Sequence, residues 1–195
     1  GIRLSIDTYW ASVVTRAHSL IGEFMVNDIS AGEADPQMLP TVGNLQLPYV
    51  AMHSRGDSMT MQSLTDYNDV TEDVVDYFKT FSEKAACHGI QNWILDPGFG
   101  FAKTVDQNYR ILKELDKLKS VLCADGSTPR LLVGVSRKSM IYKKFAISPE
   151  DALPATQVLH YKALLSGADI LRVHDVAQAR QTVELYRIFE AKNCR

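Results

Sequence analysis

Hydrophobic positions gather into six short runs, over residues 4–7, 25–28, 49–53, 93–96, 131–136 and 170–174, and each run ends on a polar or ionisable residue. A segment of helical character follows each one, which is the layout of parallel strands opening their C-terminal ends into one mouth. The pattern predicts strands over 4–7, 25–29, 49–53, 93–96, 131–136 and 169–174. Helices are expected from the first strand through about Leu20, around 36–43, over 69–88, near 105–122, in the region up to about Leu165, and from the last strand through about Ala191. A polar loop, 54–68, separates the third strand from its helix, and Gly89, Gly126 and Gly167 stand where helices hand over to loops.

Six units in 195 residues give ~32 residues each, close to the ~31 of an eight-unit barrel of ~250 residues; eight units in this length would leave only ~24. The expected fold is therefore α/β, an incomplete (β/α)8 TIM barrel of about six units in one domain, 1–195. An open doubly wound sheet is the alternative. The barrel is preferred because all six strand ends carry polar groups, rather than only those flanking one switch point.

Composition narrows function more than fold. Hydrophobic residues make up 46%, charged residues 23%, and the net charge is -2, so disorder is excluded and a nucleic-acid-binding face gets no support. Arg137, Lys138, Lys143 and Lys144 form the one basic cluster, suited to a small anion. Three scattered cysteines, Cys87, Cys123 and Cys194, argue against a disulfide framework or zinc site. No apolar run reaches the ~20 residues that span a bilayer. With no signal peptide after Gly1, a cytoplasmic address is expected.

Arg172 and His174 share one face of the last strand, so two cationic groups point into the mouth and read as an anion site. An Arg172–Asp175 ion pair with His174 as a helix cap is the competing structural reading. Asp96 ends a buried strand, where a carboxylate needs a partner; its two oxygens suit adjacent N–H donors of a guanine- or pterin-like ring. Gly98 and Gly100 let the loop approach a ligand, although an ordinary Asp-Pro-Gly turn explains the same residues. Residues 136–139, Ser-Arg-Lys-Ser between strand and helix, suit a carboxylate or phosphate, or else form a solvated basic turn. Asp7 and Asn27 could serve a ligand or cap helices, with Asp28 and Ser30 competing for the second role. His53 reads as structural. No spacing for a protein-held metal or a nucleophile elbow occurs.

Together, Ser5-Ile6-Asp7-Thr8, Asn27-Asp28, Met52-His53, the 95–104 loop, Gly134-Val135-Ser136-Arg137-Lys138-Ser139 and Arg172-Val173-His174-Asp175 resemble the dihydropteroate synthase family, the folate-pathway transferases targeted by sulfonamides. The resemblance implies condensation of 6-hydroxymethyl-7,8-dihydropterin diphosphate with p-aminobenzoate. By motif, Asp96 would grip the pterin's 2-amino/N3 edge, Asn27 and Asp7 its other ring nitrogens, and Lys138 its carbonyl and N5 side. Met52 would pack beneath the ring, and Gly100 would line the pterin site. Arg172 would stack on the ring and bind the diphosphate with His174, while Phe101, Ser139 and Arg137 would line the aminobenzoate pocket. Arg172, His174 and Lys138 are the catalytic candidates.

Magnesium is expected on the diphosphate, with its protein ligand in the two front units of the family pattern that this sequence does not show. Those units set a further expectation, that the 195-residue chain is a fragment, inactive alone. Homodimerisation is a family expectation, with neither nucleic acid nor membrane as partner. Competing readings are a methyltetrahydrofolate-binding methyltransferase barrel and a degenerate, non-catalytic pterin-binding or interaction module.

Overall fold

A computed structural model describes residues 2–56, 60 and 63–190. Cys194, the expected helix end at Ala191 and part of the 54–68 loop lie outside those residues.

Six strands pair in sequence order, every neighbour parallel: β1 (Ser5–Asp7), β2 (Met25–Asp28), β3 (Tyr49–Met52), β4 (Trp93–Asp96), β5 (Arg130–Val133) and β6 (Ile170–Leu171). An open doubly wound sheet reverses its strand order at a switch point, and this one does not. The sheet also curls. Arg172, one residue past β6, reaches back to hydrogen-bond Asn27 on β2 at 3.3 Å. The architecture is an incomplete TIM barrel.

Helices α1 (Ala11–Ile21), α2 (Met38–Leu45), α3 (Val70–Cys87), α4 (Val105–Lys113), α5 (Ser139–Phe145), α6 (Leu153–Leu165) and α7 (Val176–Glu190) follow the strands, α5 and α6 both after β5. Local chemistry sets their starts. Asp69 caps α3 by accepting from the N–H groups of Thr71 and Glu72, and Thr104 with Gln107 forms a reciprocal capping box on α4. The expected helix over 105–122 breaks at Glu114 into a 3-10 turn, Leu115–Ser120. The helical region before Leu165 divides where Ala146 takes a left-handed conformation and Pro149 follows. The fifth strand stops at Val133 instead of Ser136, because β6 offers ladder partners only to Leu132 and Val133.

Strand register sorts the side chains into two layers, since successive residues face opposite sides of a sheet. Val50, Ile94 and Leu132 form an inner apolar layer with Met25 and Ile170. The next position of the same parity toward each C-terminal end is Asn27, Met52, Asp96, Gly134 or Arg172, with Asp7 registered beside Asn27 and Met52 beside Asp96. Opposite parity points outward into the larger sheet–helix core, built around Tyr49, Phe78, Phe81, Trp93 and Leu95.

Asp28 belongs to that outer layer. Fully buried, it accepts from Tyr49 Oη at 2.6 Å, from Ser30 N and Oγ at 2.7 Å each, and from Gly32 N at 2.9 Å. Burial, then the Asp28 charge, pushes the Tyr49 phenol far above its ordinary range, so it stays a donor. Tyr49→Phe removes one partner of a buried carboxylate and should destabilise the fold by about 1–3 kcal/mol. A urea-unfolding midpoint indistinguishable from wild type would contradict that role.

Candidate active site

Five of the predicted strand-end groups, Asp7, Asn27, Lys138, Arg172 and His174, line one cavity of about 270 Å³ together with Met52 and Phe101. Asp96 lies beneath it, with no exposed surface. Its Oδ1 accepts from the Gly98 N–H at 2.9 Å. Its Oδ2 sits 2.7 Å from Arg172 Nη2, close enough for an ion pair but without the alignment of a hydrogen bond. Arg172 therefore spans the mouth, from Asp96 on β4 to Asn27 on β2.

Gly134 makes that span possible. It occupies the inward position of the strand end next to Arg172, and a Cβ there would lie 2.9 Å from Nη2, 3.1 Å from Nε and 3.2 Å from Cζ. The missing side chain is the seat of the guanidinium.

Lys138 N-caps α5 and sends its ammonium back to the carbonyl of Phe99, with Nζ 4.8 Å from the Phe101 ring centroid. Burial lowers its pKa to about 8; Asp96 pulls it up and Arg172 pushes it down. Gly100 packs against the same side chain, where a Cβ on the glycine would stand 3.4 Å from Lys138 Cδ. Ser136 holds His174 twice, its Oγ lying 3.3 Å from the His174 backbone N and 3.0 Å from Nδ1. With Oγ accepting the backbone bond, its own hydrogen can be given to Nδ1, leaving Nε2 to carry the ring proton.

The capping alternatives for Asp7 and Asn27 are not what the chain uses. The first N–H of α1, on Ala11, is met by Asp35 Oδ2 at 2.8 Å, and the turn after β2 is tied by Asp28 and Ser30. The Arg172–Asp175 pair of the competing structural reading is replaced by another. Arg137 forks onto Asp175 at 2.8 and 2.9 Å and gives Nη1 to the carbonyls of Pro149 and Glu150 at 3.0 and 2.6 Å. Arg137, expected at the aminobenzoate pocket, thus has its guanidinium committed to neighbouring loops. Ser139 opens α5 beside the mouth, and Phe101 lines it.

Reading the sequence missed three participants: Gly134, Ser136 and Lys103. The first two stood inside the 134–139 motif and the third inside the 95–104 loop, none of them with a role of its own, and strand parity was the signal that could have marked Gly134. Lys103, 5% exposed, places Nζ 2.9 Å from His53 Nδ1. Larger hollows, of about 600 and 610 Å³, lie beside α3 and along α7; His53 lines the first, and neither is lined by Asp7, Asn27, Lys138, Arg172 or His174. Among the described residues no three His, Cys, Asp or Glu side chains converge as a metal site.

Comparison with known proteins bears on the family and the fold. The model of the pterin binding enzyme family matches residues 1–174. The dihydropteroate synthase of Synechocystis sp. is 40% identical over 183 residues, covering 92% of this chain and 61% of the relative. A crystal structure of Yersinia pestis dihydropteroate synthase with a sulfonamide drug complex superposes with a TM-score of 0.90 at 30% identity, covering 98% of this chain and 68% of that one. The Thermus thermophilus enzyme in complex with 4-aminobenzoate gives 0.88 at 29%, covering 96% and 71%. The chain thus spans about three fifths of the length of the Synechocystis relative.

Gly134→Ala tests the seat. Its backbone tolerates alanine, since Gly134 is not among the positive-φ glycines, so the fold should persist while the methyl displaces Arg172. A crystal structure of the variant should show the Asp96–Arg172 contact opened; a retained 2.7 Å contact would show that the guanidinium is held by something else.

Proposed function

The chain belongs to the family of pterin binding enzymes, and from that premise we propose that its mouth seats a pterin diphosphate for condensation with p-aminobenzoate, the transferase reaction of a dihydropteroate synthase. One observation carries the reading. A buried carboxylate, Asp96, has one oxygen 2.7 Å from Arg172 Nη2 yet without an aligned hydrogen bond, and the amino-amide edge of a pterin presents two adjacent N–H donors that suit such a carboxylate.

In this reading the ligand edge replaces the guanidinium on Asp96, whose Oδ2 gains the aligned bonds it lacks. Asn27 and Asp7 take the remaining ring nitrogens, Lys138 donates to the pterin carbonyl and N5 side, and Met52 packs under the ring. Displaced Arg172 stacks on the ring and, with His174, meets the diphosphate. The C–O bond then breaks, the diphosphate leaves with the electron pair, the aminobenzoate nitrogen bonds to the methylene carbon, and the amine proton goes to solvent. The residues orient the ring and stabilise departing negative charge, work that needs no nucleophile. Phe101 and Ser139 flank the aminobenzoate side.

A magnesium ion belongs in this proposal as a companion of the substrate's diphosphate. The described residues offer no cage for it, and none of these steps passes through it. Sulfonamide competition at the aminobenzoate side, a cytoplasmic address and a homodimer come with the same reading. No described helix is long and apolar enough to cross a membrane.

Calorimetry tests the order of binding. The pterin diphosphate should bind first, and p-aminobenzoate only after it or after diphosphate; an aminobenzoate that binds the empty chain equally well would count against the reading. Asp96→Asn loses a charge-assisted bond worth ~1.5–3 kcal/mol, so pterin affinity should fall by roughly 10- to 150-fold. Unchanged affinity would reduce Asp96 to a turn residue.

The pH dependence has a fixed sign. Lys138 donates as an ammonium and, with its pKa at about 8, loses that proton as pH rises through the value. Pterin affinity should weaken above about pH 8 in the wild type and remain flat there in Lys138→Met, by fluorescence titration.

A further inference from the structure

Among the described residues, Lys103 is the one buried Lys or Arg side chain, and nothing in the reaction above uses it. Its Nζ lies 2.9 Å from His53 Nδ1, 3.0 Å from the Phe101 carbonyl, 3.2 Å from that of Gly98 and 3.4 Å from that of His53. These four acceptors come from two strand ends, β3 and β4. His53 in turn donates its backbone N–H to the Asp96 carbonyl at 2.9 Å. The loop is pressed onto this unit so closely that a Cβ on Gly98 would stand 2.0 Å from the His53 oxygen.

The loop transmits that hold to the mouth. Gly98 N–H orients Asp96 Oδ1, the Phe99 carbonyl receives Lys138, and Gly100 N–H is tied to Asn108 Oδ1 at 2.7 Å. We propose that Lys103 and His53 are positioning residues: they form a brace beneath the 97–101 loop that aims Asp96 and Lys138 at the ligand and so governs affinity for the pterin ring. The inference rests on the pterin reading of the mouth.

The brace holds one proton. Burial, then the Lys103 charge and that of Arg55, keeps the His53 ring well below its ordinary pKa against a weaker opposing backbone bond. His53 is therefore neutral, with Nδ1 accepting and Nε2 bearing the hydrogen. Burial lowers Lys103 to about 7, with Asp96 raising it and Lys138 and Arg55 lowering it. Among the described residues the pair is also faced by Tyr77 on α3, edge-on to the His53 ring at 4.8 Å, by Tyr67 at 6.2 Å, and, around the hollow that His53 lines, by Asp73, which pairs with Arg55 at 3.1 Å, and by Glu33, Asp76 and Lys84. As pH rises through about 7, Lys103 loses a donor and the brace loosens.

Lys103→Met keeps the length of the side chain and removes the donors. It should bind 6-hydroxymethyl-7,8-dihydropterin about tenfold more weakly, exchange the Gly98 and Gly100 amides faster, and lose the affinity inflection near pH 7 while keeping the one near pH 8. Wild-type affinity with a wild-type pH profile would overturn the brace. Should the variant not fold, nitrogen NMR of the wild-type histidines decides instead. His53 should stay the neutral Nε2–H tautomer down to about pH 5.5, and a ring that titrates near its ordinary value would overturn the proposal. If the wild type binds no pterin at all, the pterin reading fails, while amide exchange and the His53 ring still decide the brace.

Discussion

A single buried carboxylate organises the mouth of this barrel. Asp96 has no exposed surface, and a charge in that position is tolerated only if the surroundings compensate it. Arg172 meets it directly, while Lys103 and Lys138 face it closely enough that each has its own pKa pulled upward by the Asp96 charge. Three strand-to-helix connections thus converge on one acidic group. Gly98 fixes one oxygen, Gly134 makes room for the cation that meets the other, and the curl of the sheet brings β6 within reach. Removing the carboxylate would leave Arg172, Lys103 and Lys138 without their shared buried counter-charge, so site and strand ends depend on the same group.

Much of this was legible because strand parity is strict. Asp7, Asn27, Met52, Asp96 and Arg172 occupy inward positions at the ends of β1, β2, β3, β4 and β6, and a period-two reading marks them without any contact being known. Parity also separates Asn27 from its neighbour Asp28, which the sequence left competing for one role; the two face opposite layers and do different work. Strand order, one after another without reversal, followed from the polar ends of all six runs.

What stayed hidden were partners chosen by long side chains. Arg172 and Asp175 are neighbours in sequence with opposite charge, and pairing them was the natural local guess. In the fold Asp175 goes to Arg137 and Arg172 goes to Asp96, because Arg172 points inward while Arg137, in a left-handed conformation at φ 50°, turns toward the 149–150 turn. Lys103 was invisible for a related reason. It lies seven residues beyond Asp96, and its side chain folds back under the loop that precedes it. No periodicity encodes such a return.

The electrostatics of the cup bear on its stability as well as its ligand. Lys103 and Lys138 have folded pKa values of about 7 and about 8, both below the 10.5 of a free lysine. Between those values and 10.5 the unfolded chain binds more protons than the folded one, so these two groups favour the fold more as pH rises across the window. Below about 7 both are protonated in either state and their penalty is fully present. An anion entering the mouth offsets that penalty by supplying the missing negative charge. The same desolvation that strains the empty cup therefore favours an anionic occupant over a neutral one, and it does so most at the acid side of neutrality. Surplus positive charge around one buried carboxylate is a poor arrangement for a fold alone and a good one for a site that receives an anion.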